Sequence, residues 1–186
     1  MKTELESVAW PPPPIKTERL VLRAAEPRDR TTTIELLASP EVGTYIGGAQ
    51  PREQLERALP DAPRRRAGHF VVELDGTMIG LVTLDERDPN HPAQRRVDLA
   101  KVELGYLFLP TSWGNGYATE ACTAALRWLT EARPRTPVAL TTQTANTASL
   151  RLATTLGFTE TTRYEAWKAE QWLGIWTPPT NALPAG

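Results

Sequence analysis

Cysteine is almost absent from this chain. Its one cysteine, Cys122, cannot form a disulfide within the chain, which suits a reducing compartment. A nucleophilic role would require a polarising partner, and the two histidines, His69 and His91, lie far from Cys122 in sequence and in no recognisable motif. Because Cys122 sits in an apolar helical stretch, we expect it to pack in the core.

The sequence also lacks long apolar runs and a dominant charge. No stretch approaches the roughly 20 apolar residues of a membrane span, and no signal peptide opens the chain. The net charge is −1 and the isoelectric point is near 6.2, so no global field favours nucleic acid or a membrane surface. The dense basic patch at residues 64–66 is interpreted as a solvated loop or helix end. We therefore expect a cytoplasmic protein without nucleic-acid or membrane partners.

The chain has the length and composition of one globular domain. It contains 186 residues, of which 40% are hydrophobic, enough to bury a core. Prolines cluster at residues 11–14 and again from Pro178 onward. We predict an extended proline-rich segment over residues 1–16, one domain over 17–177 and a tail over 178–186.

Local patterns predict an α+β fold. "HFVVEL-DG-TMIGLVTL" joins two apolar runs through Asp75-Gly76, which is typical of a type I′ hairpin, and a polar loop is expected over 85–98. "TERLVLR" predicts a strand with Leu20 and Leu22 on its one buried face and Arg23 opposite. Further strands are expected in "KVELGYLFL", "PVALTTQ" and the tryptophan-rich last part. Helices are expected in "RDRTTTIELLASPEV", "REQLERAL", residues 119–132 and "NTASLRLATTL". This order indicates one central mixed, mostly antiparallel, twisted sheet flanked by helices.

A glycine loop precedes the longest predicted helix, in "LPTSWGNGYATEA" (residues 109–121). The first amides of a helix lack partners and carry partial positive charge, and Gly114 and Gly116 would let a phosphate approach them closely. The loop lacks the Gly-Lys-Ser/Thr ending of a P-loop, and Thr119 stands where the dinucleotide fingerprint requires its third glycine. Taken alone, the loop is as compatible with a simple turn as with a phosphate site.

Two other segments of the chain bear on how the glycine loop is interpreted. "TERLVLR", "VELGYLFLPTSWGNGYATEA" and "NTASLRLATTLGF" occur in this order and together resemble the GNAT superfamily of acetyl-CoA-dependent N-acetyltransferases, particularly its ribosomal-protein N-terminal acetyltransferase-like branch. The resemblance covers about residues 17–160. It implies a single GNAT-like domain that moves an acetyl group from acetyl-CoA, as cosubstrate, directly to an amine, without a metal.

The resemblance also implies which residues hold coenzyme A. The pantetheine arm would extend the sheet beside residues 106–108, and Pro110 would end the ladder. Trp113 replaces the Gln or Arg that opens the superfamily's loop pattern, while the backbone cradle is intact. Asn146 matches an asparagine that meets the pantetheine, a role compatible with its being a helix N-cap. The full set implied is Tyr106, Leu107, Phe108, Trp113, Gly114, Asn115, Gly116, Tyr117, Ala118, Thr119 and Asn146.

Acetyl transfer to an amine requires a base, a donor to the thioester oxygen and a proton for the departing sulfur. Glu103, a carboxylate in an apolar strand, is the first candidate base; alternatively it pairs with an arginine. Glu73 or a water chain is a weaker choice, and Thr141 stands where some relatives carry a glutamate. The amide of Leu107 is a candidate oxyanion donor.

For the acid, the resemblance offers Ser149. Many GNAT enzymes carry a tyrosine where this chain has Ala153, and the branch resembled here has a serine three residues after the asparagine. A hydroxyl at this position near a helix start also commonly satisfies only backbone groups.

The acceptor is less defined. The resemblance implies a primary amine, either of a small molecule or of a protein N-terminus, and a monomer or homodimer. Core packing is favoured over an acceptor pocket for three tryptophans near the end of the domain, Trp167, Trp172 and Trp176. Two rival functions stay open: a coenzyme-A-binding sensor or interaction module without turnover, and a nucleotide binder that would take ATP.

Overall fold

The computed structural model describes residues 5–63, 65–88, 90 and 100–179. One eight-stranded sheet has the order β1-β2-β3-β4-β5-β6-β8-β7. All neighbouring strands are antiparallel except β5 and β6, which are parallel. The strands are β1 Ile15–Lys16, β2 Leu20–Arg23, β3 His69–Leu74, β4 Thr77–Glu86, β5 Val102–Phe108, β6 Val138–Gln143, β7 Thr159–Ala166 and β8 Ala169–Trp176. The predicted α+β fold, a mixed and mostly antiparallel sheet flanked by helices, is confirmed.

Five helices accompany the sheet within the described residues. They are α1 Arg30–Ala38, α2 Pro40–Gly43, α3 Arg52–Ala58, α4 Tyr117–Ala132 and α5 Thr147–Leu156. Short 3₁₀ turns occur at Leu5–Ser7, Pro27–Asp29 and Pro110–Ser112. Gly157 ends α5 in the left-handed conformation, with φ of 90°. None of the described helices has the length and apolar character needed to span a membrane.

The two faces of the sheet bury different side chains. The front face, covered by α4 and α5, buries the larger cluster, which includes Leu22, Phe70 and Leu104. The back face, covered by α1, buries a smaller one with Leu36 and Val71. Successive side chains of a strand alternate between these faces. Cys122 is fully buried at the front, where burial raises the pKa of its thiol, in agreement with the expected packing role.

The two hairpin turns differ in how well the sequence predicts them. Asp75 and Gly76 have φ of 49° and 80°, as the predicted type I′ turn requires. Trp167 and Lys168, between β7 and β8, have φ of 50° and 63°. This second turn has no glycine, asparagine or aspartate, so the sequence left its position uncertain. β4 continues to Glu86, and most of the loop predicted over 85–98 lies outside the described residues, as does His91.

Residues 5–16 belong to the packed structure. Trp10 makes edge-to-face contacts with Phe70 and Trp128, at centroid distances of 5.0 and 5.7 Å. Leu5 is buried in the front cluster, and Ile15 pairs with Leu22 in the sheet. Residues 5–16, assigned from the sequence to an extended segment ahead of the domain, therefore pack against it.

Two side chains lie elsewhere than the sequence predicts. Arg23 was placed opposite the buried face of its strand, yet it is buried on the back face, between Asp29 at 2.8 Å and Glu73 at 2.7 Å. Core packing is observed for Trp172 and Trp176 but not for Trp167, whose side chain is 64% exposed at the tip of the β7–β8 turn. The alternation of apolar and polar residues along a strand predicts neither the burial of Arg23 nor the exposure of Trp167, because it does not show which faces of the sheet other elements cover.

Candidate functional site

An opening between β5 and β6 is the main irregularity of the sheet. The two strands share only the register pairs Val102–Val138 and Glu103–Ala139 within the described residues, although β5 continues to Phe108 and β6 to Gln143. Their later parts therefore diverge. This strand opening lies between residues 104–108 and 140–143, and it exposes two strand edges to any ligand that enters it.

The hydrogen-bond parity of β5 decides which backbone groups face the opening. The Arg87 amide donates to the carbonyl of Lys101, and the Leu109 amide donates to the carbonyl of Ile79. In an uninterrupted antiparallel ladder, alternate residues direct their backbone groups to the same neighbour. Odd-numbered residues of β5 therefore face β4, while Tyr106 and Phe108 face the opening.

This parity corrects one expectation. Leu107 pairs with Leu81 of β4, so its amide belongs to the β4–β5 ladder and is not directed at a ligand in the opening. The oxyanion donor proposed from the sequence has the wrong register. An amide of a neighbouring even-numbered residue is the candidate that the strand geometry allows.

The glycine loop, residues 113–116, leads from the end of β5 into α4. Gly114 and Gly116 both have φ of 78°, a left-handed conformation that other residues rarely adopt. A Cβ at Gly114 would meet no atom within 4 Å, and among the described residues no side chain caps the 16-residue helix at Gly116. The amides of Tyr117, Ala118 and Thr119 in the first helical turn, together with the helix dipole, are thus a candidate anion site next to the strand opening.

The side chain of Trp113 joins the glycine loop to the end of β5 through a hydrogen bond. Its indole Nε1–H donates to the carbonyl of Phe108 at 2.9 Å, although much of its ring is exposed. The side-chain amide of Asn115 donates to the carbonyls of Ser112 and Trp113, at 3.2 and 3.0 Å. The residue that departs from the superfamily pattern therefore fixes the loop to the strand that precedes it.

Ser149 and Tyr106 form a hydroxyl pair on the front face. The Ser149 Oγ and Tyr106 OH atoms are 2.5 Å apart, and Ser149 is buried. Burial raises the pKa of Tyr106 to about 12, although the hydrogen bond with Ser149 opposes this rise. Asn146 caps α5 by accepting a hydrogen bond from the Ser149 amide at 3.2 Å. The N-cap interpretation of Asn146 is thus correct and leaves its side-chain NH₂ group for a second partner.

The Tyr106 hydroxyl is a functional candidate that the sequence did not suggest. Ala153, where many relatives carry a tyrosine, is fully buried. Tyr106 reaches the same helix from β5 and contacts Ser149, one helical turn before Ala153. The alternation of β5, which places Tyr106 on the front face with Leu104, was the available signal.

Glu103 lies on the back face beside a buried arginine. Its Oε2 is 3.7 Å from Nε of Arg87, whose side chain is fully buried, whereas Glu103 itself is 25% exposed. Burial raises the pKa of nearby Tyr164, and the charge of Glu103 adds to that rise. The alternative weighed from the sequence, that Glu103 pairs with an arginine, is therefore present in the structure.

Glu73, the other carboxylate considered as a base, forms ion pairs with two arginines. Glu73 accepts from Arg23 at 2.7 Å and from Arg28 at 3.0 Å. It belongs to an ion network away from the strand opening, on the β3–β4 hairpin. Thr141 is on the back face of β6, close to Tyr164. Neither replaces Glu103 as the candidate base.

His69 and Asp85 form another polar pair on the back face. Nε2 of His69 is 2.7 Å from Oδ1 of Asp85, and Arg66 is 3.0 Å from the same oxygen. Burial alone would raise the pKa of Asp85, but His69 and Arg66 bring it below its ordinary value. Part of the basic patch at 64–66 thus serves an ion pair. Within the described residues no group of three or more histidine, cysteine or acidic side chains could hold a metal ion.

Comparison with known proteins identifies the family. The model of the acetyltransferase (GNAT) domain matches residues 19–159, most of the chain. An uncharacterised protein of Bacillus subtilis strain 168, YkkB, is 30% identical over 148 residues, which cover 76% of this chain and 82% of YkkB.

Solved structures share the fold at low sequence identity. A GNAT-family acetyltransferase from Bacillus anthracis has a TM-score of 0.70 at 22% identity, covering 89% of this chain and 98% of that one. The aminoglycoside acetyltransferase AAC(6′)-Ib with ribostamycin and coenzyme A has a TM-score of 0.69 at 15% identity, covering 87% and 94%. RimL, a ribosomal L7/L12 α-N-protein acetyltransferase with coenzyme A, has a TM-score of 0.66 at 13% identity, covering 89% and 98%.

Proposed function

Because this chain belongs to the GNAT acetyltransferase family, we propose that it moves the acetyl group of acetyl-CoA directly to a primary amine, of a small molecule or of a protein N-terminus. One observation carries the proposal: the strand opening ends beside the glycine loop and the start of α4. A ligand with an amide-containing arm and a pyrophosphate matches this combination of strand edge and helix terminus.

Coenzyme A fits the groups that this chain offers. The backbone groups of Tyr106 and the amide of Phe108 face the opening and suit the pantetheine amides. Asn146 caps α5 at the Ser149 amide, and Ser149 in turn contacts the Tyr106 hydroxyl. The amides that follow Gly116 suit the pyrophosphate, since the open space at Gly114 admits a bulky anion. When bound, acetyl-CoA supplies an activated acetyl group.

The proton-transfer residues lie on the two faces of β5. On the back face, Glu103 takes the proton that the amine loses as the new C–N bond forms. On the front face, the Ser149 hydroxyl, which shares a hydrogen bond with the Tyr106 hydroxyl, donates a hydrogen bond to the thiolate that leaves as the C–S bond breaks. The back-face location of Glu103 supports an acceptor that enters from that side, opposite α4 and α5.

The acceptor class stays open between two kinds of amine. RimL is described as acting on a ribosomal protein N-terminus, and AAC(6′)-Ib was solved with the aminoglycoside ribostamycin. A protein N-terminus and an aminoglycoside both present a primary amine but differ in the rest of their structure. We therefore propose the reaction at the level of the amine, and the cytoplasmic location expected from the sequence stays a prediction.

The test is acetyl transfer with a divided acceptor panel. Purified protein is incubated with acetyl-CoA and either N-terminal peptides or aminoglycosides and other small amines. Thiol release and acetylated product are measured together, with buffer as the hydrolysis blank. Product in either arm, in proportion to thiol release, supports the proposal and assigns the acceptor class.

Other outcomes support the rivals. Coenzyme A that binds tightly without turnover on any acceptor indicates a sensor or interaction module, which the absence of a tyrosine at Ala153 favours. Thermal stabilisation by ATP but not by coenzyme A indicates a nucleotide binder. Either result contradicts the proposed reaction.

A further inference from the structure

Arg19, the residue before β2, makes an unusual set of contacts with the glycine loop. Its NH1 donates to the carbonyl of Asn115 at 2.9 Å, and its Nε and NH2 each lie 2.7 Å from Oε2 of Glu120. The guanidinium carbon also lies 4.7 Å above the ring of Tyr117. One side chain at the start of β2 thus contacts both the loop and the first turn of α4.

The bond to Asn115 controls the direction of one amide. In a planar trans peptide the carbonyl and the following N–H point in opposite directions. Because Arg19 holds the carbonyl of Asn115, the amide of Gly116 is directed away from Arg19. Gly114 and Gly116 lie on either side of Asn115, and such flexible residues would otherwise let this peptide rotate.

Glu120 presents an electrostatic problem at the same place. It is an acidic residue in the first turn of α4, the turn that would receive a pyrophosphate. Its Oε1 accepts from the Thr17 hydroxyl at 2.6 Å and from the Arg19 amide at 2.9 Å. Burial raises the pKa of Glu120, but these contacts and the Arg19 guanidinium together bring it below its ordinary value. The carboxylate is thus ionised, and Arg19 offsets its charge.

We propose that Arg19, held by Glu120, whose carboxylate also accepts from Thr17, is a positioning residue for the anion site: it directs the Asn115–Gly116 peptide and neutralises Glu120. Arg19 therefore acts on the phosphate-bearing part of the ligand and not on its pantetheine arm. This inference rests on the proposed use of coenzyme A. It links the residue before β2 to the loop more than 90 residues later.

The test compares coenzyme A with pantetheine, which keeps the amide-containing arm and lacks both the phosphates and the adenosine. Arg19→Met keeps an aliphatic stem over Tyr117 and removes the guanidinium. Dissociation constants are measured by calorimetry for coenzyme A and for pantetheine, which lacks phosphate. Loss of charge-assisted hydrogen bonds predicts coenzyme A binding about tenfold weaker, with pantetheine binding unchanged.

Matched variants separate the possible causes. Arg127→Met removes the same charge from another turn of α4 and should leave both affinities unchanged. Arg19→Met combined with Glu120→Gln should recover part of the coenzyme A affinity, since the unpaired carboxylate is gone, but not all of it. Full recovery would contradict the peptide-orienting role. Arg19→Lys, the substitute if Arg19→Met does not fold, should show the same selective loss, because one ammonium cannot reach both partners.

The remaining outcomes overturn the inference. Equal weakening of both ligands indicates a general structural role, and unchanged coenzyme A affinity indicates no role. If the parent protein binds no coenzyme A, the proposed function fails along with the inference. If the parent acetylates amines and Arg19→Met binds coenzyme A normally, only the inference fails.

Discussion

At the scale of single residues, β5 separates two candidate proton-transfer groups. Glu103 is on the back face beside Arg87, and Ser149 meets Tyr106 on the front face. If Glu103 accepts the amine proton, Glu103→Gln should lower kcat about 100-fold, the low end for general base catalysis, with little change in the KM for acetyl-CoA. Steady-state kinetics measure both. Glu73→Gln is the matched control: it should lower the melting temperature and retain kcat, and equal losses in the two variants would assign the base elsewhere.

Tyr106 gives a prediction for alkaline pH. Burial raises its pKa from 10.0 to about 12, so between these values the unfolded chain loses a proton that the folded protein retains. The stabilisation is complete below pH 10 and is lost as the pH rises toward 12. Urea unfolding of the parent and of Tyr106→Phe should therefore show a stability difference that is constant below pH 10 and shifts against the parent above it. A constant difference throughout would contradict the assigned burial.

At the scale of elements, the glycine loop and α4 act as one unit. Gly116→Asp would place a carboxylate at the helix terminus and should abolish coenzyme A binding. Gly116→Asn is the isosteric control, since asparagine tolerates a positive φ and carries no charge. We expect Asn to retain measurable affinity in calorimetry. Equal affinity in the two variants would remove the loop from the anion site.

The sequence predicted these elements well because their signals are local. Asp75-Gly76, the helix stop at Gly157 and the cap at Asn146 each follow from the chemistry of one or two residues. The direction of the Leu107 amide could not be predicted in this way. It depends on which residues of β5 are hydrogen-bonded to β4, and the sequence does not show that register. The Ser149–Tyr106 pair likewise joins residues 43 positions apart and needed the packing of α5 on the sheet.

At the scale of the whole molecule, the start of the chain contributes to the stability of the domain. Trp10 packs against Phe70 and Trp128, which also contact each other, and this ties residues 5–16 to both the sheet and α4. Trp10→Ala should lower the free energy of unfolding by about 3 kcal/mol, as for other large aromatic side chains removed from packed sites. Trp167→Ala, at an exposed turn, should change it by less than about 0.5 kcal/mol. Denaturant unfolding measures both, and similar values would show that the N-terminal segment adds no packing.

The narrow ladder between β5 and β6 also divides the molecule mechanically. In the part of the chain that the structure describes, two register pairs join the first five strands to a unit made of β6, α5, β7 and β8. Along most of this boundary the described strands share no sheet hydrogen bonds that would resist separation of the two units. A ligand in the opening would bridge them. We expect amide hydrogen exchange across β6 and β8 to slow when coenzyme A binds, including at residues that never touch it. The acetyl donor would then serve as a reversible crosslink of the fold, and the protein would be most easily opened between catalytic cycles.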